Sequence, residues 1–158
     1  DIYLLDLVCY GYLNVKTSNV DKLASEGIKF NNFYTSQAIC APSRAMLLSG
    51  KSLFHVYDRL DGIETLPNYL NDRGYRTFAT GKWHNGAPSF EANFEEGSNI
   101  MLGGMSDHFN VPVKSLDING KLNNLNISGF STDLFVDSAL NYLDKYNKSE
   151  KHKKNVTF

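Results

Sequence analysis

The chain has 158 residues, a formal net charge of −1, 42% hydrophobic residues and 21% charged residues. A chain of this length and composition can form one globular domain with a real core, and it does not resemble a disordered tail. Because Lys and Arg are spread along the chain and no apolar run approaches the roughly 20 residues that span a bilayer, we expect neither a nucleic-acid partner nor a transmembrane segment.

The first predicted elements are a helix and a strand. Asn19 can cap a short helix, and Gly27 stands where a left-handed residue that ends a helix is expected. Residues 28–34 are rich in aromatic residues, which is typical of a strand.

A second helix-then-strand unit follows. Thr65 can cap a helix with Pro67 in its first turn and Gly74 beyond its end, and residues 75–80 then read as a strand. Such repeated units predict an α/β layer sandwich with a largely parallel or mixed central sheet, whose ligand sites lie at the carboxyl ends of strands.

The remainder of the chain is predicted to hold one long helix. Residues 85–130 are Gly- and Asn-rich, and we predict an irregular excursion over one face of the domain there. Residues 131–146 have helical spacing of apolar side chains, with Asp133 early and Lys145 late as the helix dipole favours. A further strand is predicted to begin at 155–158.

Cys40 begins the most informative stretch, Cys40-Ala41-Pro42-Ser43-Arg44, at the mouth of a predicted short helix that ends near Gly50. Free amides and the helix dipole favour an anion beside Cys40. Arg44, one turn later, can offer a planar fork to sulfate or phosphate oxygens. Taken alone, these properties favour a helix N-terminus that carries a buried thiol and a surface arginine.

Lys82 and His84 end the predicted strand, two residues apart. In extended backbone this spacing places both side chains on one side. An ammonium and an imidazole facing one pocket suit an anionic ester, with Lys82 as a point charge and His84 as donor or proton carrier. Taken alone, the stretch favours a solvated lysine and a hydrogen-bonded histidine at a strand end.

Together the two stretches resemble a known family. Cys-x-Pro-Ser-Arg followed by an Ala/Leu-rich helix and Gly50 resembles the signature of type I sulfatases, whose cysteine is oxidised to formylglycine. Gly81-Lys82-Trp83-His84 resembles the second sulfatase signature, and it follows the first by a few tens of residues, as in the family. The resemblance implies the three-layer α/β/α sandwich of alkaline phosphatase-like enzymes.

The resemblance also implies a Ca²⁺ site, with Mg²⁺ as an alternative. In the family, paired aspartates and the formylglycine position bind the metal, which assigns Asp1 and Cys40 as ligands. The first aspartate would lie upstream of Asp1. Because the family is much longer, residues 1–158 would be the N-terminal part of a sulfatase catalytic domain without its first strand and C-terminal part.

The family chemistry implies a role for each site residue. The aldehyde made from Cys40 is hydrated, one hydroxyl attacks sulfur, and the second later expels sulfate. Calcium, Arg44 and Lys82 would neutralise the sulfuryl oxygens, while His84 would hold or deprotonate the hydrate.

The resemblance also suggests partners and a location. The substrate would be a sulfated small molecule or glycan, and a formylglycine-generating or other sulfatase-maturing enzyme would act on the chain. A secreted, periplasmic or lysosomal location is expected.

Alternatives stay open at this stage. One is a phosphonate or phosphate monoester hydrolase of the same superfamily, and another is an inactive fragment that binds sulfated glycans. Residues 117–120 match the start of an EF-hand loop, but they favour an Asn-Gly hairpin turn because Ser128 stands where the loop needs Glu. His108 is either close to a substrate or satisfied by Asp107.

Overall fold

The computed structural model describes residues 6–12 and 14–149. The chain divides into two compact units, one ending at Tyr34 and one beginning at Thr35. The predicted metal ligand Asp1 and the strand predicted at 155–158 lie outside the described residues. None of the helices in the described part of the chain combines the length and the apolarity that crossing a membrane requires.

The first unit contains a short 3-10 turn at Val8–Tyr10 and helix α1 at Ser18–Glu26. Thr17, not the predicted Asn19, precedes the helix, because its hydroxyl donates to the Asp21 carboxylate (3.1 Å) and accepts from the Val8 amide (3.0 Å). Gly27 ends α1 as predicted, but its φ of −117° is not left-handed.

The strand predicted at 28–34 is wrong, since the structure assigns no strand to this segment. A strand requires a neighbour for its backbone hydrogen bonds. Instead, the Phe30 carbonyl accepts from the Tyr10 hydroxyl (3.0 Å), and Lys29 donates to the Cys9 carbonyl (2.8 Å). Aromatic content alone therefore misled the assignment.

The second unit holds five helices and four strands within the described residues. They are α2 (Cys40–Ser49), α3 (Leu53–Val56), α4 (Leu66–Asn71), β1 (Phe78–Trp83), α5 (Ala87–Asn93), β2 (Glu96–Leu102), β3 (Val113–Leu116), β4 (Leu122–Leu125) and α6 (Ser131–Lys148). The sheet has the order β1-β2-β3-β4, with β1 and β2 parallel and the other two pairs antiparallel. The prediction of a mixed α/β sheet is confirmed.

Helices α2, α4 and α6 were predicted, whereas β1 begins three residues later than the predicted strand. The irregular excursion predicted for 85–130 is wrong, because α5 and three strands lie within it. Its apolar residues lie in core clusters with residues that are distant in sequence, as Ile100 does with Ala45, and Val113 pairs with Leu125 across the β3–β4 hairpin. The Asn-Gly hairpin turn is confirmed, with Gly120 at φ +72° and its amide bonded to the Asp117 carbonyl (3.0 Å).

Helices cover both faces of the sheet. Successive side chains of a strand point to opposite faces. In β2, Ile100 packs in a core cluster with Ala45 of α2 and Phe90 of α5, whereas Met101 packs in a second cluster with Phe135 of α6. The sheet therefore lies between two helical layers, as predicted for a three-layer α/β/α sandwich.

Candidate active site

The candidate site lies where the N-terminus of α2 meets the carboxyl end of β1. Ala45 of α2 is completely buried and anchors this helix in the core. Arg44 Nη1 donates to the carbonyl oxygen of Lys82 at 3.0 Å. The two sequence stretches that were singled out separately are therefore joined in the fold.

Cys40 is the first residue of α2 and is half-buried. Its Sγ lies 2.9 Å from Nδ1 of His84, which is 44 positions further along the chain. Either atom can donate, depending on the histidine tautomer. A thiol and an imidazole, the pair from which an activated nucleophile can be built, are thus in direct contact.

Lys82 and His84 both reach the loop that follows β2. Lys82 Nζ donates to the Gly104 carbonyl at 2.9 Å. The His84 ring lies so close to Gly104 that a Cβ built there would be 2.9 Å from its Cε1 atom. The two side chains therefore face the same loop, as their spacing in an extended strand predicts.

The charges around Cys40 are positive. Within the described residues, neither Arg44 nor Lys82 has a carboxylate in ion-pair contact, because the salt bridges there join other residues. Their hydrogen bonds go to neutral carbonyl oxygens, so no carboxylate among residues 6–12 and 14–149 compensates either positive charge. Such a site favours an anionic ligand.

The predicted metal site is not assembled by the described residues. Cys40 is present, but no group of three or more His, Cys, Asp or Glu side chains among residues 6–12 and 14–149 could hold a metal ion. His108 forms a hydrogen bond with Ser131 Oγ (2.8 Å), and Asp107 accepts from the Phe109 amide instead. Of the two alternatives left open for His108, the one in which Asp107 satisfies the ring is therefore wrong, because Ser131 takes that place.

Sequence reasoning assigned no role to Asn85 or Gly104. Asn85 is 1% exposed, and its Nδ2 donates to the carbonyls of Ala41 (2.8 Å) and Asp58 (2.6 Å). The position of the polar residue Asn85 directly after His84 was a sequence signal that could have identified it. Nothing in the sequence indicates that Gly104 returns to the His84 ring.

Comparisons with known proteins show which family the chain is similar to. The sequence model of the sulfatase family matches residues 4–157. The chain is 32% identical over 149 residues to an N-acetylglucosamine-6-O-sulfatase from Bacteroides thetaiotaomicron, covering 90% of this chain and 25% of that protein. It is 28% identical over 180 aligned positions to the human N-acetylgalactosamine-6-sulfatase, covering 89% of this chain and 34% of that protein.

A solved structure is similar as well. It contains its substrate, D-glucosamine-2-N,6-O-disulfate, and it matches with a TM-score of 0.72 and 29% identity, covering 94% of this chain and 29% of that one. The chain thus spans between a quarter and about a third of the length of these relatives. Because the family model matches nearly the whole length of this chain, the chain belongs to the sulfatase family.

Proposed function

We propose that this chain carries the nucleophile of an enzyme that hydrolyses sulfate esters to an alcohol and inorganic sulfate, with Cys40 converted to formylglycine. The observation that carries the proposal is the 2.9 Å contact between Cys40 Sγ and His84 Nδ1, with Arg44 and Lys82 alongside. Residues 1–158 would form the N-terminal part of the catalytic domain.

Formylglycine would supply a hydrated aldehyde whose hydroxyl accepts the sulfuryl group. The chain's own residues then have separate tasks. The charges of Arg44 and Lys82 would stabilise the negative sulfuryl oxygens, which is preorganised electrostatic help of the kind that group transfer requires. His84 Nδ1, beside the side chain of residue 40, would hold or accept the proton of the attacking hydroxyl.

Calcium, or magnesium in its place, belongs to this proposal only through the family resemblance. One proposed ligand, Cys40, lies in the candidate site, and the other, Asp1, lies outside the described residues. Since the described residues do not by themselves form a metal cluster, we derive no step through the metal.

The proposed substrate is a sulfated saccharide. Two relatives are named for 6-sulfates of N-acetylated amino sugars, and a third is named as an ulvan-active sulfatase from Formosa agariphila. A sulfatase-maturing enzyme is the proposed partner that oxidises Cys40. A secreted, periplasmic or lysosomal location stays an expectation.

The test uses the whole protein that contains this chain, produced together with a sulfatase-maturing enzyme. Turnover of an aryl sulfate and of the matching aryl phosphate is measured for the wild type and for Cys40→Ala. Cys9→Ala is the matched control, because Cys9 is the other free cysteine among the described residues and lies in the other unit. We expect sulfate turnover that only Cys40→Ala abolishes.

Faster turnover of the phosphate ester would favour the phosphohydrolase alternative. Binding of sulfated saccharide without turnover of either ester would favour the noncatalytic one. Either result would contradict the proposed function.

A further inference from the structure

Asn85 connects the two halves of the candidate site. Its Nδ2 atom donates to the carbonyl of Ala41, which directly follows Cys40, at 2.8 Å. The same atom donates to the carbonyl of Asp58 at 2.6 Å. Asn85 itself directly follows His84. Its buried side chain therefore links the residue after Cys40 to the residue after His84.

The turn that carries Asn85 is itself firmly held. The Asn85 carbonyl accepts a hydrogen bond from Ser89 Oγ at 2.6 Å. Next to it, the Gly86 carbonyl accepts from Trp83 Nε1 at 2.8 Å, and Trp83 packs in the core. The Asn85 side chain is therefore attached to a fixed support and not to a mobile loop.

Only a carboxamide of this length meets the two carbonyls. One amide nitrogen carries two N–H donors, so it can serve both acceptors at once. Leucine has a similar size but no hydrogen-bond donor. Aspartate would place carboxylate oxygens, which only accept hydrogen bonds, against two carbonyl oxygens that also only accept. Loss of the donors would remove one hydrogen bond from the buried Ala41 carbonyl and one from the partly buried Asp58 carbonyl, which is costly.

We propose that Asn85 is a positioning residue, which fixes the N-terminus of α2 against the end of β1 and so sets the contact between residue 40 and the His84 ring. This role rests on the proposed function, because it assigns Asn85 to the sulfuryl-transfer site. Asn85 acts through Cys40 and His84 and does not itself contact the substrate.

The test measures the contact directly, in the unmodified chain with its cysteines intact. Iodoacetamide alkylates Cys40 and Cys9, and mass spectrometry of the two peptides gives the ratio of the two rates at fixed pH. His84 Nδ1 lies 2.9 Å from Cys40 Sγ, so it can accept the thiol proton as the sulfur attacks iodoacetamide. We expect His84→Ala and Asn85→Leu each to lower the Cys40-to-Cys9 ratio about 2- to 10-fold, the range that the net contribution of one hydrogen bond corresponds to.

Asn93 provides the matched control. It is also 1% exposed, and its Nδ2 donates to the Ser89 carbonyl at 2.5 Å, but it contacts neither half of the site. Asn93→Leu should lower the melting temperature to a similar extent as Asn85→Leu and leave the alkylation ratio unchanged. If Asn85→Leu does not melt cooperatively, Asn85→Asp carries the same expectation.

Three results would overturn the role of Asn85: a wild-type ratio in the folded Asn85 variant, an equal fall in Asn93→Leu, or no fall in His84→Ala. Failure of the proposed function is recognised separately. If the whole, matured protein does not turn over sulfate esters, the proposed function is contradicted, but the Cys40-to-Cys9 alkylation ratios stay as expected. If the protein is an active sulfatase and Asn85→Leu does not change that ratio, only the role of Asn85 is contradicted.

Discussion

The chemically informative residues were found from the sequence because two short motifs carry them. Cys40, Arg44, Lys82 and His84 were all singled out before the fold was known, and the structure brings them together. The motifs could not show which contacts hold these side chains in place. The Lys82 and His84 contacts with Gly104 depend on a loop after β2, and a glycine in a loop gives no sequence signal for what approaches it.

Gly104→Ala is expected to disturb the His84 ring. A methyl group there would lie 2.9 Å from His84 Cε1 and 3.2 Å from Nε2, which is closer than packed atoms tolerate. The ring or the loop must shift, so the contact with Cys40 or the hydrogen bond from Lys82 changes. Imidazole resonances in ¹H–¹⁵N NMR spectra should show a large change for His84 and little for His108.

Gly129→Ala is the control for this substitution, since its new methyl would meet only the tip of the Leu134 side chain, at 3.3 Å. That flexible tip can move aside. Unchanged His84 resonances in Gly104→Ala, or equal changes in both variants, would show that Gly104 does not support the ring.

At the scale of elements, four of the six α-helices in the described residues were predicted (α1, α2, α4 and α6), whereas the strands were predicted poorly. The caps and periodicity of α2, α4 and α6 are local, so each could be identified from its own residues. A strand depends on its neighbours. Residues 28–34 look like a strand and form none, whereas β4, with two asparagines in Leu122–Leu125, becomes one because β3 pairs with it.

Gly97→Ala is expected to weaken the packing of α5 on β2. A Cβ at this strand position would lie 2.7 Å from two ring atoms of Phe90, which is itself 1% exposed and cannot move freely. Overpacking of this kind costs about 1–3 kcal/mol. Urea unfolding should show that loss, with Gly129→Ala much less affected, and equal stability of the two variants would contradict the close packing.

Glu91 is expected to make the α5–β4 contact sensitive to acid. The backbone amide of Leu122, followed by the Lys121 ammonium, holds the pKa of Glu91 below its ordinary value of 4.5. A lowered folded-state pKa gives stability that is present above pH 4.5 and is lost as the pH falls through the folded value. Glu91→Gln should therefore be less stable near neutral pH, and the difference should shrink in acid.

Unfolding free energies of the wild type and of Glu91→Gln across this pH range provide the measurement. Glu26→Gln is the control, because Glu26 is exposed and only forms an i,i+4 ion pair with Lys22. A constant difference between the wild type and Glu91→Gln from neutral pH down through the folded pKa would rule out this linkage.

At the scale of the whole molecule, the four candidate residues that the structure describes lie in one unit. Cys40, Arg44, Lys82 and His84 all follow Thr35, where the second unit begins. The family model covers residues 4–157, but the chain spans only 25% of the bacterial relative. The sequence could therefore predict the family and the fold, while the proposed metal site needs residues beyond those described.

The most direct test of the account is the mass of the peptide that contains residue 40, taken from the whole protein produced with a sulfatase-maturing enzyme and active on an aryl sulfate. Conversion of cysteine to formylglycine lowers that mass by about 18 Da. We predict that the active protein carries this loss at residue 40 and not at Cys9. An unmodified Cys40 in fully active protein would contradict the proposal.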